Sequence, residues 1–151
     1  MNWLIELFTN PFLMTSLASW FVAQVIKVII NAIIHKKLIL ERLVGDGGMP
    51  SGHSATVASL ATITALLRGV GSFEFAMAAI FAIVVCHDAM GVRQETGKQA
   101  VMLNEILRIL ETTDLPEVKL KELVGHTPLQ VCAGILIGIG MALTMYFLVF
   151  V

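Results

Sequence analysis

The run Gly47-Gly48-Met49-Pro50-Ser51-Gly52-His53-Ser54 reads as the start of a helix that could hold an anion. A proline in the first turn leaves the next backbone N–H groups without intrahelical acceptors. Gly52 opens the backbone to close approach, and the helix dipole adds positive potential. His53 is then placed to donate a proton. Upstream, Gln24, Lys27, Asn31 and His35 recur at steps of three, four and four, which is one face of a helix. Lys27 lies about 10 Å inside its apolar run at ~1.5 Å rise per residue. A lysine there either snorkels to the surface or faces a pocket, and its place on a polar stripe favours the pocket. Downstream, His87 adjoins Asp88, Arg93 follows, and His126 precedes Thr127-Pro128. Asp88 suits an ion pair with Arg93 and also suits orienting a histidine, since a carboxylate on one ring nitrogen fixes the tautomer.

The elements that must position these residues are membrane helices. The 151 residues are 57% hydrophobic and only 14% charged, which excludes a disordered chain, a nucleic-acid-binding arm and an ordinary soluble enzyme. The net charge of −1 names no partner. Cys86 and Cys132 sit inside apolar runs and read as structural, and the absence of Lys or Arg before Gln24 speaks against a secretory signal. Four runs are candidates to cross a bilayer, at residues 11–34, 50–67, 73–90 and 128–151. The middle two are short and polar at their ends, so contact with protein or a wet cavity is expected there. Asn10-Pro11 and Thr127-Pro128 are helix starts, and Thr127 with Gln130 forms a capping box. Pro50 is expected to open the second span. Between Gly91 and Gly125, Val101, Met102, Ile106, Ile109 and Leu110 fall near helical spacing among polar residues, which predicts an amphipathic helix, with a short helix over 116–124 after it. The fold expected is an all-α integral membrane bundle of about four spans plus that cytosolic amphipathic helix, in one domain.

Eight of the ten Lys and Arg residues lie in the loops after the first and third runs. The positive-inside rule puts those loops in the cytosol and both termini outside. The expected location is a bacterial plasma membrane, with the site facing the cytosol.

The string Pro50-Ser51-Gly52-His53 resembles the central signature of the type 2 phosphatidic acid phosphatase superfamily, which includes vanadium-dependent haloperoxidases. With Asp88-Ala-Met-Gly-Val-Arg93 and Leu123-Val-Gly-His-Thr-Pro128, the chain is most similar to the short divergent branch described as acid phosphatase/vanadium-dependent haloperoxidase-related. The resemblance covers nearly the whole chain. It implies that Lys27, Arg42 and Arg93 bind phosphate with Ser51 and the Gly52 backbone, and that His53 protonates the leaving alkoxide. It also implies a nucleophilic histidine six residues after Arg93, where this chain has Gln99. His126 is the preferred replacement and His87 the alternative, with Asp88 in the orienting role.

The resemblance therefore implies a lipid-phosphate phosphatase acting through a phosphohistidine. The rival from another class is a lipid-phosphate binder or transporter without a nucleophile. A vanadate-dependent oxidase is a distant third. No cofactor is required in this scheme, although Asp46, Asp88 and Glu95 are carboxylates that could hold Mg²⁺. The expected partners are a lipid phosphate and the membrane, not nucleic acid. Gly134 and Gly138 form a GxxxG pattern that suits close packing within the chain or in a homodimer.

Overall fold

The computed structural model describes residues 2–36, 48–110, 120 and 124–150. The expectations for Arg42, Asp46, the side chain of His35 and almost all of the 116–124 helix lie outside the described residues. The fold is an all-α membrane bundle. Its elements are α1 (Asn2–Phe8), α2 (Pro11–His35), α3 (Gly52–Arg68), α4 (Phe73–Met90), α5 (Val92–Leu110) and α6 (Pro128–Met145), followed by a π-helical turn at Tyr146–Phe150.

The helix starts follow from their capping residues. Asn10 accepts from the N–H groups of Phe12 and Leu13 at 3.0 and 3.1 Å, with Pro11 beside it where no N–H is needed. Ser72 caps α4 by accepting from Phe75 N–H at 3.1 Å. Thr127 and Gln130 form the reciprocal capping box of α6. The second span starts later than expected. Its cap is Ser51, whose hydroxyl accepts from Ser54 N–H at 3.3 Å, so α3 begins at Gly52 and Pro50 stands ahead of the cap. The first turn of α3 therefore already has one of its N–H groups satisfied by its own serine.

Among the described residues three apolar segments are long enough to cross a membrane: Pro11–Ile34, Phe73–Ile109 and Pro128–Val149. The shorter, more polar α3 stands among them and packs against α2, α4 and α6. Its buried face is built from Ser54, Ala55, Ala58 and Ser59. The bundle is inverted relative to a soluble domain. Inside are alanines, serines and threonines, while Phe21, Ile29, Ile33, Phe81, Ile83 and Leu136 are exposed. Lipid is as apolar as leucine, so burying large side chains gains little. Small residues instead let backbones approach and gain dispersion contacts. The Ser19 hydroxyl donates across to the Ala55 carbonyl at 3.0 Å. Gly134 and Gly138 of α6 press on the α3 backbone at Ser51 and Ala55, where an added Cβ would collide with the carbonyl oxygens. The GxxxG face is thus packed on α3 within the chain.

The third run meets protein along one side, where α4 packs on α3 and its polar end receives the His126 loop. Only Ala78 and Ala89 of α4 are buried, and Met77, Ile80, Phe81, Ile83 and Val84 are exposed. At Gly91 the chain turns into α5, whose Val101, Met102, Ile106 and Ile109 are exposed, as on a helix lying along a membrane surface. Asn104 clamps the returning chain, donating to Leu120 C=O and accepting from its N–H, each at 2.9 Å.

Candidate active site

The end of α2, the start of α3, the end of α4 and the start of α6 meet at one end of the bundle. Three backbone contacts hold the junction. Ser51 N–H donates to Gln130 C=O at 3.0 Å, tying the first turns of α3 and α6 together. His126 N–H donates to Ala89 C=O at 2.9 Å, which anchors the 125–127 loop on α4. Gly125, at φ +85°, lies so close to the backbone of Arg93 and Gln94 that no Cβ fits. These contacts place His126 against the first turn of α3.

The two histidine rings stand edge to face with centroids 6.1 Å apart. His53 is half-buried, whereas His126 is 3% exposed. Lys27, 4% exposed, reaches along α2 so that its aliphatic stem lies beside Gly48. Along the polar stripe of α2, Gln24 and Lys27 are buried and Asn31 is half-buried, while Phe21, Ile29 and Ile33 of the same helix are exposed. Gln24 packs on Gly52, and its Oε1 is buried with no hydrogen-bond partner among the described residues.

Burial holds the His126 imidazole below the usual histidine range. The side chain of Gln130 opposes this, the charges of Lys27 and His53 add to it, and the Gly48 backbone opposes it again. A neutral ring at pH 7 follows, and a neutral ring is the nucleophilic form. The two helix N-termini that flank the site also present positive potential to any anion placed there.

The remaining expected residues divide. Ser51 is fully buried, and its hydroxyl is engaged within α3, accepting from Ser54 N–H and from Ser54 Oγ at 3.0 Å. Gly52 is buried in the same turn, so any contribution of Ser51 and Gly52 to an anion comes from the helix start as a whole. Arg93 Nε and Asp88 Oδ2 form an ion pair at 2.6 Å, both about two-fifths exposed. The backbone of Arg93 abuts the loop that carries His126, while its guanidinium is turned to Asp88. His87 is exposed at the end of α4, in contrast to the buried His126. Of the carboxylates named for Mg²⁺, Asp88 pairs with Arg93, and Glu95 pairs with Lys98 at 2.7 Å. Among the described residues no three His, Cys, Asp or Glu side chains gather as a metal ion requires.

A cleft of about 270 Å³ opens onto His126, lined among others by Gly48, Gln94, Lys98, Thr127 and Gln130. The sequence expectations did not include Gln94, Lys98 or Gln130 in the site. Gln94 and Lys98 are one helical turn apart on α5, so they share a face. That this face turns to the start of α6 is tertiary information.

A family profile described as Divergent PAP2 family (DUF212) matches residues 8–141. The chain belongs to the divergent PAP2 family. It is also similar to the uncharacterized membrane protein YuiD of Bacillus subtilis (strain 168), with 42% identity over 153 residues, covering 93% of this chain and 97% of that protein. No solved structure matches. The profile covers all the helices that build the site, from α2 to most of α6, so the chain is a membrane protein of this phosphatase-related family along its working length.

Proposed function

We propose that the chain is a lipid-phosphate phosphatase that works through a phosphohistidine on His126. The observation that carries the reading is the pairing of His53 with His126 at 6.1 Å between centroids, close enough for one phosphoryl group to touch both. Family membership supports the same chemistry. A phosphate monoester bears about two negative charges near neutral pH. Lys27 and the two helix starts offset that charge as the ester docks. The His126 lone pair attacks phosphorus, forming the P–N bond as the P–O ester bond breaks. The leaving alkoxide takes its proton from His53. Water then attacks phosphorus, passing its proton to His53, and the P–N bond breaks to release inorganic phosphate. Arg93 serves the docking step by turning from Asp88 to the phosphate.

The substrate in this reading is a lipid whose phosphate reaches the end of the bundle from the bilayer. The apolar exterior supports this, because a lipid can slide along it to the cleft. The test is release of inorganic phosphate from short-chain lipid phosphates by the purified chain in detergent with EDTA present. Release is expected. Tight binding of the same lipid with no release would support the binder or transporter reading instead.

The site faces the cytosol in this proposal, because the loops at this end hold most of the positive charge. Cysteines introduced at Lys36 and Arg108, in a chain with Cys86 and Cys132 replaced, should resist an impermeant thiol reagent in intact cells and react after permeabilisation. Ready labelling of intact cells would reverse the orientation.

A further inference from the structure

We propose that Gln130 is the positioning residue for His126, its side-chain oxygen fixing the Nδ1–H tautomer and leaving Nε2 as the atom that attacks phosphorus. The catalytic meaning rests on the phosphatase reading, whereas the tautomer does not.

The oxygen end of the Gln130 amide faces the loop. Thr127 N–H points at Gln130 Oε1 from 3.1 Å, and a backbone N–H can only donate, so the atom facing it is the oxygen. His126 Nδ1 lies 3.4 Å from that same oxygen. An amide oxygen only accepts, so Nδ1 meets it favourably only when it carries the proton. A neutral imidazole carries one N–H, which makes Nε2 the lone-pair nitrogen.

The backbone of Gln130 is also held at both ends. Its N–H donates to Thr127 Oγ1 at 3.4 Å, and its C=O accepts from Ser51 N–H. The capping box of α6 and the junction with α3 thereby fix the acceptor relative to both histidines. With Asp88 turned to Arg93, the orienting role expected of an acid falls to a neutral amide. The difference matters chemically. A carboxylate at this place would favour the imidazolium, which has no lone pair to attack. An amide orients the ring with a smaller pull on its proton.

The groups around His126 fit this division of labour. Lys27 faces it from α2, His53 from α3, and Lys98 lines the same cleft from α5, while the Gly48 backbone is a second acceptor for the ring with a smaller effect than Gln130. Among the described residues lining the cleft none is acidic. Gln130→Glu would place a carboxylate there.

The closing experiment is nitrogen NMR of ¹⁵N-histidine-labelled protein in detergent, without substrate, with His126 assigned from a His126→Asn control. Above its pKa the His126 ring should show a protonated Nδ1 and a lone-pair Nε2, the reverse of what free histidine prefers. Gln130→Glu keeps the capping box, since glutamate serves there as well as glutamine. The carboxylate should raise the titration midpoint of His126 by roughly one pH unit and move the acid limb of kcat/KM upward with it. Gln130→Met, which keeps the length and loses the acceptor, should lower kcat about tenfold or more with KM little changed. An Nε2–H tautomer in the unmodified chain, or a His126 midpoint unmoved in Gln130→Glu, would overturn the inference. The expected tautomer in a chain that releases no phosphate would leave Gln130 in its place and remove the phosphatase reading. Phosphate release with the opposite tautomer would do the reverse.

Discussion

His126→Ala should abolish turnover of every phosphate ester, whereas His53→Ala should lose the phosphoryl-transfer step only on esters with poor leaving groups. The two rings are 6.1 Å apart, yet their roles differ in kind. His126 supplies the attacking nitrogen, and no change in the ester replaces it. His53 supplies a proton to the departing oxygen, a contribution of about 10²–10⁴-fold for an alkoxide. A nitrophenolate departs without that proton, so His53→Ala should recover most of the phosphoryl-transfer step on a nitrophenyl phosphate, while its kcat stays limited by the hydrolysis that His53 also assists. Values of kcat/KM on an alkyl and a nitrophenyl ester, with the burst of nitrophenolate, check this for both variants. Equal losses of kcat/KM for His53→Ala on the two esters would remove its role as general acid. Near-normal turnover by His126→Ala with loss in His87→Ala would move the nucleophile to the exposed histidine of α4.

The second large effect concerns α6. Gly138→Ala should destabilise the bundle by about 2–3 kcal/mol, the upper range for forcing an extra methyl into a packed contact. The added Cβ would meet the Ala55 carbonyl and the Ser59 N–H of α3, which are backbone atoms and cannot swing aside. Gly140 is the internal control. It lies on the same helix with nothing near its would-be Cβ, so Gly140→Ala should be neutral or slightly stabilising through helix propensity. Gly134→Ala should lower both stability and turnover, because Gly134 presses on Ser51 and the displaced α3 start carries His53. Thermal unfolding in one detergent compares the three variants. Equal midpoints for Gly138→Ala and Gly140→Ala would contradict the close α3–α6 packing.

Much of this arrangement is legible in the sequence because it is local. Asn10 and Thr127 announce their helices through side-chain geometry within three residues. The Asp88–Arg93 pair spans little more than one helical turn, and the small-residue face of α3 repeats at helical spacing. The start of α3 falls after the serine because Pro50 and Ser51 both signal a helix N-terminus, and the serine takes the cap. The outward face of α4 was not legible, since a short apolar run does not say whether lipid or protein covers it. The distant parts of the site were legible only where chemistry marked them. Lys27 stands out as a charge inside an apolar run, and His53 and His126 stand out beside the helix-start signals Pro50-Ser51 and Thr127-Pro128. Gln130 gave a signal that was read only as a cap, although the same oxygen that serves Thr127 also faces His126. Lys98 and Gln94 gave none, because their place in the cleft depends on how α5 folds back toward α6.

The central claim is that phosphorus passes through a nitrogen of His126. The direct measurement is a rapid alkaline quench of the turning-over enzyme with EDTA present, followed by mass-spectrometric mapping of the modified residue. Alkali preserves the P–N bond that acid would cleave. The account predicts one phosphoryl group per active chain, on the peptide containing His126, enriched in His53→Ala when a nitrophenyl ester is used, because attack then outpaces the hydrolysis that His53 assists. A phosphoryl group on the His87 peptide, or full turnover with no phosphoenzyme, would contradict it.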